Sequence, residues 1–340
     1  MLTNKKVQII ISCLLALGVL LCVYTPNSLQ NLLLEREINL TPQSFAPQIM
    51  MAYLVLGLGF LLISQKRLMF TSFACCAALC LFLKDASGEV LKHPAPTGQP
   101  NVSIAHFNLA NSENDIEAQI QAMLDTKADL LSIQELTPDW EMPLLQMLEM
   151  DYPYFKSIPD LGINGVAVYS KHPFESIDTF HYKNIPNIIG SISFEEHSFF
   201  FIASHTQPAF TEKAYLSQQA HLEKVAQKCQ QIADPLVTFG DYHATPWSEE
   251  IRHFRMLAEL NDSRRNLSPS YPHASMSFFD IPIDHIFFTD HFQCTSFHTI
   301  SGESSDHLGI QAVFEFVDPK LDMLSEARKQ YYVREASFEF

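Results

Sequence analysis

The sequence predicts an α/β fold, in which two β-sheets pack together beneath covering helices, preceded by three transmembrane helices. Three observations support this prediction. The first ninety residues contain three apolar runs with almost no charge. The later residues alternate between strand-like apolar runs and segments of helical spacing, and a run of strands ends the regular part of the chain. Many strands with few helices between them are typical of sheets and helices packed in layers.

The three apolar runs cover about residues 7–23, 48–63 and 68–83. A bilayer core requires roughly 17 to 25 apolar residues per helix, so these are short spans or spans lengthened by their flanks. A signal peptide followed by two buried helices is the alternative. It is disfavoured because residues 22–26 lack a small-residue cleavage site and because it does not explain the second and third runs. Residues 1–90 are therefore predicted to form a membrane domain.

The basic residues beside the spans predict their orientation, because translocation of Lys and Arg is disfavoured. Lys5 and Lys6 precede the first span, and Lys66 and Arg67 lie in the second connection. The first connection contains only Arg36, which lies between two glutamates. We therefore expect a cytoplasmic N-terminus and an extracytoplasmic location for everything after about residue 90. Three short helices without a eukaryotic processing motif favour a bacterial inner or cytoplasmic membrane.

Charge distinguishes the two parts of the chain. Residues 1–90 hold six Lys or Arg and four acidic residues, which leaves 16 basic and 34 acidic residues downstream. Such an acidic surface repels polyanions, so nucleic acid is not the default substrate. Asp262, Arg264 and Arg265 are interpreted as a solvated loop, with a local basic patch that contacts substrate as the alternative. A protein partner is not predictable from the sequence.

The segment 91–100 is rich in Pro and Gly and is predicted to be a linker to a domain over residues 101–318. A partly helical tail, 319–340, follows it without an assignable role. Only two cysteines, Cys229 and Cys294, lie outside the apolar runs. They could form one disulfide in an oxidising compartment, but sequence does not reveal their separation in space.

Periodicity predicts the elements of the domain in chain order. Apolar residues at helical spacing, including Ile116, Ile120 and Met123, predict a helix over 115–127, and a long polar-faced helix is predicted over 211–233. A hairpin is predicted over 191–206, with its turn near residues 195–197. The remaining predicted strands cover 101–109, 129–136, 165–170, 235–240, 283–289, 292–300 and 308–316.

Acids and imidazoles end several of these strand-like runs, where side chains from different strands can converge on one metal and one phosphate. The ordered motifs resemble those of the endonuclease/exonuclease/phosphatase superfamily, from about residue 101 to 316. The matching segments are Phe107-Asn108-Leu109, Ile133-Gln134-Glu135, 165–171, Ala203-Ser204-His205-Thr206, 240–246, Ile283-Asp284-His285 and Ser305-Asp306-His307.

This resemblance implies a deoxyribonuclease I-like, four-layered αββα sandwich of two mainly antiparallel sheets. It also implies a divalent cation, Mg²⁺ or Mn²⁺, held chiefly by the carboxylate of Glu135. Asn108 and Asp306 would help to hold the ion or its waters, and Asn108 would also contact the substrate phosphate. Carboxylate and amide oxygens are the ligands that hard cations prefer.

The resemblance also implies the catalytic residues. Asp241 would orient or deprotonate the attacking water, and Asp284 would position and charge His307, which contacts the phosphate. His205 would stabilise the phosphate or donate a proton toward the leaving oxygen. One departure is His243, which stands where the family usually has Asn and is retained as a phosphate-binding candidate.

The predicted function is a membrane-anchored, extracytoplasmic, metal-dependent phosphoesterase that acts on a phosphodiester or a phosphomonoester. Its partners would be a phosphate-ester substrate and the bilayer that holds the N-terminal helices. A nuclease, a phospholipid or sphingolipid head-group hydrolase and a catalytically silent binding module remain as alternatives. A two-metal phosphoesterase of the calcineurin type is disfavoured because the chain lacks an early Asp-x-His and a later Gly-Asn-His.

Overall fold

The computed structural model describes residues 4–24, 41–87, 92–110, 115–272, 279–301 and 305–317. Three apolar helices come first: α1 (Lys5–Val23), α2 (Ala46–Leu62) and α3 (Lys66–Ser87). A short 3₁₀ helix, Pro42–Phe45, leads directly into α2. All three helices are long and apolar enough to cross a membrane, and they coincide with the three predicted spans.

Small residues allow these helices to pack closely. A side chain added at Gly18 would collide with the Tyr53 hydroxyl, and one added at Gly57 would meet the Phe73 ring at 2.5 Å. The Tyr53 hydroxyl donates a hydrogen bond to the Leu15 carbonyl at 2.8 Å. Glycine at such contacts lets helix backbones approach in apolar surroundings.

At one end of this helix group, α1 makes polar contacts with the turn between α2 and α3 and with the beginning of α3. Gln8 Nε2 donates to Gln65 Oε1 at 2.8 Å, and the hydroxyls of Ser12 and Thr71 lie 3.1 Å apart. Lys5, Lys6, Lys66 and Arg67 therefore share one end. The C-terminus of α1, the N-terminus of α2 and the C-terminus of α3 lie at the other end.

Twelve strands form two six-stranded mixed sheets. Each sheet contains one parallel pair, β1 with β2 and β7 with β8, and its other pairs are antiparallel. In spatial order, the first sheet consists of β11 (Phe292–Ile300), β12 (Gly309–Phe316), β1 (Asn101–Asn108), β2 (Leu130–Gln134), β4 (Val166–Ser170) and β3 (Tyr154–Ile158). The second consists of β5 (Phe174–Tyr182), β6 (Ile185–Phe194), β7 (His197–Ala203), β8 (Leu236–Asp241), β10 (Asp284–Phe288) and β9 (Asn261–Asp262).

The two sheets pack face to face around an apolar core that includes Ile104, Phe201 and Phe314. Helices α4 (Ile116–Asp125) and α5 (Glu141–Leu148) cover the first sheet. Helices α6 (Glu212–Cys229) and α7 (Glu249–Ala258) cover the second. The predicted α/β sandwich of two helix-covered sheets is therefore confirmed.

Several elements differ from the sequence predictions. Strands β3, β5 and β9 and helix α7 were not predicted. Every predicted strand and helix of the domain is present, most within a few residues of the predicted bounds, and β6 begins six residues before the predicted hairpin. Cys229 and Cys294 are unpaired thiols. Cys229 packs beneath the helices of the second sheet and Cys294 packs between the sheets, so the disulfide alternative is wrong. The predicted tail, 319–340, lies outside the described residues.

The expectation of a solvated loop at residues 262–265 is wrong. Asp262 and Arg264 are 2% and 3% exposed. The Arg264 guanidinium lies over the Phe297 ring and donates to the Asp284 carbonyl oxygen at 2.8 Å. Burial lowers the pKa of Arg264 to about 10, so the side chain stays charged at neutral pH. Arg264 therefore supports the first residue of β10 from inside the fold.

Candidate active site

The ends of four central strands bring the candidate residues together. Asn108 ends β1, Asp241 ends β8, Asp284 begins β10, and Glu135 directly follows β2. Asp241 and Asp284 face each other across an antiparallel pair, while β1 and β2 run parallel and end at the same edge. Both sheets therefore contribute acids to one end of the sandwich.

One amide side chain joins the two sheets at this end. Gln134, the last residue of β2, is fully buried. Its Nε2 donates to the Ser204 carbonyl oxygen at 2.9 Å, and its Oε1 accepts from the Asp241 backbone N–H at 2.8 Å. Gln134 thus sets the position of Asp241, on the second sheet, relative to Glu135, on the first.

Gly240 allows this close approach of the sheets. Its φ of +151° lies in a region that residues with side chains rarely adopt, and a Cβ there would collide with the Ser204 carbonyl oxygen and the Gln134 amide.

We expect Gly240→Ala to lower the free energy of unfolding by about 1–3 kcal/mol, because the backbone must move to admit the methyl group. Thermal unfolding of the full-length chain in detergent measures this. Gly59→Ala, at a site with nothing within 4 Å of the added atom, is the control and should unfold like the wild type.

Asn108 holds the two central carboxylates side by side. Its Nδ2 donates to Glu135 Oε1 at 3.2 Å and to Asp241 Oδ2 at 3.1 Å. Its Oδ1 accepts from the Ala110 backbone N–H at 2.8 Å. The amide nitrogen therefore faces the acids, and the amide oxygen faces the backbone.

Two stacked imidazoles complete a set of metal-binding atoms around these acids. His205 Nε2 lies 3.9 Å from Glu135 Oε1 and 4.0 Å from Asp241 Oδ2, and His243 Nε2 lies 3.5 Å from the same Asp241 oxygen. The ring centroids of His205 and His243 are 5.1 Å apart. One donor atom from each of these four residues lies within 4.8 Å of the others. His205 Nε2 is buried and has no hydrogen-bond partner among the described residues, as expected for a nitrogen available to a cation.

The backbone at two of these residues is strained. Glu135 and His243 have φ values of +56° and +50°, in the left-handed region that favours glycine. Such conformations cost of order 1–3 kcal/mol and concentrate at functional sites. Here they turn both side chains toward Asp241 directly after their strands end.

Burial controls the protonation of this cluster. It raises the pKa of Glu135, and burial together with the charge of Asp284 raises the pKa of Asp241 to about 7. Burial also lowers the pKa of His205 well below its ordinary value and that of His243 to about 4. Both imidazoles are therefore neutral at neutral pH and can offer a lone pair to a metal.

Protons should compete with a metal for these ligands. We expect the affinity of the full-length protein for Mn²⁺ to fall below pH 7 by up to about tenfold per pH unit, because protonation of Asp241 removes a negative charge beside the cation. Above that pH the affinity should level off. Isothermal titration with Mn²⁺ at a series of pH values measures this, and an affinity independent of pH between 5 and 8 would contradict it.

A second constellation, adjacent to the first, is built on Asp284. Its Oδ2 accepts from His307 Nδ1 at 2.9 Å, and its Oδ1 lies 3.2 Å from His106 Nε2. Burial opposes the charge of His307, but Asp284 and Asp241 outweigh burial and raise the pKa of His307 to about 10. Burial likewise opposes the charge of Asp284, and His307 and His106 outweigh it and hold the pKa of Asp284 well below its usual range. The free nitrogen of His307, Nε2, lies 3.8 Å from Asp241 Oδ2.

His106 and Tyr271 were missed at the sequence level. His106 is fully buried, and its Nδ1 lies 3.0 Å from the Ser132 hydroxyl. Because this contact fixes the ring, Nε2 of His106 can hold Asp284 in position. The alternation of side chains along β1 places it on the same face as Asn108, which is the signal that could have revealed it. The Tyr271 ring lies 4.7 Å from the His307 ring, and no sequence pattern marks it.

Some of these acids and imidazoles line a cavity of about 280 Å³, whereas Asp241 and Asp284 are fully buried. Glu135, His243 and His307 all line it. Asp306 is exposed and lines the same cavity, but it does not belong to the donor clusters found among the described residues. His285 Nε2 lies 2.8 Å from the Ala244 carbonyl oxygen and donates to it, because a carbonyl oxygen only accepts.

This combination of a helix-covered two-sheet sandwich with carboxylates, neutral imidazoles and a protonated His–Asp pair in one cavity defines a metal-dependent hydrolase of phosphoester bonds. A family model described as "Endonuclease/Exonuclease/phosphatase family" matches residues 105–307. The chain belongs to this family. No curated protein matches it by sequence.

Solved structures show the same fold at low sequence identity. A humanized TDP2 from D. rerio is 17% identical with a TM-score of 0.54, covering 63% of this chain and 99% of its own. An endonuclease/exonuclease/phosphatase from Beutenbergia cavernae is 17% identical with a TM-score of 0.54, covering 64% of this chain and 72% of its own. The human Nocturnin catalytic domain is 15% identical with a TM-score of 0.51, covering 64% of this chain and 96% of its own. At these identities, the similarities show a shared sandwich fold and nothing more.

Proposed function

We propose that this chain is a membrane-anchored phosphoesterase, with an extracytoplasmic active site, that hydrolyses a phosphodiester or phosphomonoester with metal-activated water. The observation that carries the proposal is that Glu135 and His307 line one cavity and that the buried Asp241 lies 3.8 Å from His307 Nε2. Acids that can hold a cation and a protonated imidazole that can bind an anion are the two requirements of phosphate hydrolysis.

Glu135 is the principal proposed metal ligand, with Asn108 and Asp306 holding the ion or its waters. The buried, unpartnered His205 Nε2 and the adjacent carboxylates suit a divalent cation such as Mg²⁺ or Mn²⁺. When bound, the cation supplies positive charge at the phosphate and lowers the pKa of water. Asn108 keeps Glu135 and Asp241 side by side through its amide nitrogen.

Asp241 is the proposed base. Its pKa of about 7 lies close to neutral pH, where a general base is most effective. Asp241 accepts a proton from water as the water oxygen bonds to phosphorus, and the P–O bond to the leaving group breaks without a covalent enzyme intermediate.

His307, held by Asp284, binds a phosphoryl oxygen as an imidazolium and is better suited than His205 to protonate the leaving oxygen. The pKa of His205 is lowered by burial, so its proposed contribution is to bind the phosphate or the cation through a neutral ring.

His243 should influence the choice of metal. Imidazole nitrogen is a ligand for transition-metal ions, whereas Mg²⁺ is a hard ion that is bound through oxygen. We expect His243→Asn, which restores the residue usual in the family, to raise the ratio of Mg²⁺-supported to Mn²⁺-supported kcat by about tenfold. Parallel assays with each metal measure the ratio. Replacing His253, which lies on the outer helix α7, by Asn is the control and should leave the ratio unchanged.

The helix arrangement supports the proposed orientation in a bacterial cytoplasmic membrane. Lys5, Lys6, Lys66 and Arg67 lie at the end opposite to the sandwich, and among the basic residues of the described helices Lys84 alone lies at the sandwich end. Basic residues beside a span are retained on the cytoplasmic side. A reporter fused to the C-terminus that is active only outside the cytoplasm tests this. Activity of a cytoplasm-only reporter at the same position would overturn the orientation.

The proposed chemistry is tested with the purified full-length chain and the soluble substrate bis(p-nitrophenyl) phosphate. We expect turnover with Mg²⁺ or Mn²⁺ that is lost with EDTA and restored by excess metal. If no phosphodiester, phosphomonoester, oligonucleotide or lipid is hydrolysed with either metal, the catalytically silent binding module becomes the better interpretation. Faster hydrolysis of an oligonucleotide than of any other ester would favour a nuclease, which the acidic surface disfavours.

A further inference from the structure

One wall of the active-site cavity comes from the membrane segment. Ser44, in the 3₁₀ helix that leads into α2, lines the cavity together with Glu135 and His307. The apolar span that begins at this 3₁₀ helix covers Pro42–Leu62. The cavity therefore opens within a few residues of the point where the chain enters an apolar span.

Specific contacts hold this wall in place. Trp247 Nε1 donates to the Gln43 carbonyl oxygen at 2.7 Å, and Gln43 Nε2 donates back to the Trp247 carbonyl oxygen at 3.3 Å. Gln48 Nε2 donates to the Asp280 carbonyl oxygen at 3.0 Å. Trp247 is 1% exposed and packs in a cluster with residues of all three apolar helices. The sandwich and the membrane helices thus form an interface of specific hydrogen bonds and buried side chains beside the cavity.

A second junction lies at the cavity mouth. The rings of Phe45, in the 3₁₀ helix, and Phe279, in the loop before β10, are 6.3 Å apart and nearly perpendicular. Phe279 is 58% exposed, and Phe210, which lines the cavity, is 49% exposed. Two large aromatic side chains therefore face outward beside the beginning of a membrane span, where rings of this kind favour the boundary between water and lipid.

The remaining lining favours a small phosphate ester with an apolar body. Pro208, Ile281 and Ile283 contribute apolar surface, and no Lys or Arg is present among the described residues that line the cavity. A nucleic-acid strand requires basic side chains along its backbone, and this cavity does not provide them. A volume of about 280 Å³ holds a phosphate and a small substituent but not long acyl chains.

We propose that the substrate is the phosphate ester in the head group of a membrane lipid, whose acyl chains remain in the bilayer during hydrolysis. This inference rests on the proposed phosphoesterase function and names its substrate class. The head group enters past Ser44, and the exposed rings of Phe210 and Phe279 contact the apolar part of the lipid at the bilayer surface. The anchor and the active site are then parts of one substrate-binding structure.

The test uses the full-length chain reconstituted into vesicles of phosphatidylcholine, phosphatidylethanolamine, phosphatidylglycerol and sphingomyelin, with Mn²⁺. Phosphorus NMR detects hydrolysis of each lipid, and bis(p-nitrophenyl) phosphate is assayed in the same sample. We expect hydrolysis of at least one lipid. In Phe210→Ser and in the double variant with Phe279→Ser, the ratio of lipid to soluble-ester turnover should fall by at least about tenfold, which corresponds to about 1.4 kcal/mol of lost contact with the lipid. Met150→Ser, an exposed apolar residue outside the cavity lining, should leave the ratio unchanged.

The outcomes separate the two proposals. If the soluble ester is hydrolysed and no lipid is, or if the ratio is the same in the Phe210→Ser variant as in the wild type, the lipid inference is wrong and the phosphoesterase remains. If neither ester is hydrolysed, the phosphoesterase proposal itself fails. Preferential hydrolysis of a single-stranded oligonucleotide would also overturn the lipid inference. The Phe210→Ser variant retains the contact between Phe45 and Phe279, so unfolding of the mouth does not explain its effect.

Discussion

Glu135→Gln is expected to reduce kcat for a soluble phosphodiester by about a thousandfold, because it removes the negative charge of the proposed principal metal ligand. Glu135 is 8% exposed and accepts a hydrogen bond from Asn108 Nδ2 at 3.2 Å. Gln has the same shape and can still accept this bond through its carbonyl oxygen, so the fold should persist. The loss should therefore appear in kcat and in Mn²⁺ affinity together, measured by turnover and by isothermal titration.

Glu141→Gln is the matched control for this experiment. Glu141 is an exposed acid in the first turn of α5, outside the cavity, and its neutralisation should leave kcat and Mn²⁺ affinity unchanged. A Glu135→Gln protein that retains wild-type turnover and metal affinity would remove Glu135 from the site. A loss of kcat with intact Mn²⁺ affinity would assign the metal to other ligands.

Asp284→Asn is expected to have the second large effect, a fall in kcat of about a hundredfold to ten-thousandfold, as for other carboxylates that position a catalytic imidazole. Asp284 accepts from His307 Nδ1 at 2.9 Å and is the main cause of the raised pKa of His307. Without the charge of Asp284, less negative charge opposes the effect of burial on His307. The pKa of His307 should therefore fall toward or below its ordinary value.

The pH profile distinguishes this role from a structural one. In the wild type, His307 keeps its proton until the pH approaches about 10, so its contribution should persist through the neutral and mildly alkaline range. In Asp284→Asn, activity should instead decline as the pH rises through about 6.5. Asp290→Asn, an exposed acid two residues beyond β10, is the control. Equal pH profiles for wild type and Asp284→Asn would contradict the proposed charging of His307.

The parts of the site that could be predicted from sequence share a local signal. Glu135, Asp241 and His205 each follow or end a short apolar run, which predicts both the strand and the edge at which the polar side chain lies. The order of these motifs then indicates which strands meet. Asp306 lacks this signal, since it precedes an apolar run, and it is exposed in the cavity lining, so its proposed role at the metal stays a prediction.

Other parts depend on contacts between distant residues, which a local pattern does not contain. Arg264 resembles a surface residue until the Asp284 carbonyl and the Phe297 ring surround it. Strand β5 lies at a sheet edge with most of its residues half-buried or exposed, so it lacks the apolar run that marks a central strand. Trp247 pairs with Gln43, 204 positions earlier, and only the assembled fold brings them together.

Because the Gln134 side chain joins the two sheets, the turnover rate should depend on how the sheets are aligned. Because one side chain ties the Ser204 carbonyl and the Asp241 N–H to the strand that precedes Glu135, sliding of either β-layer must displace one acid relative to the other. Large-to-small substitutions deep in the interior, far from any reacting atom, should therefore slow turnover before they unfold the chain. The turnover number would then fall with any loss of side-chain packing in the core of the sandwich.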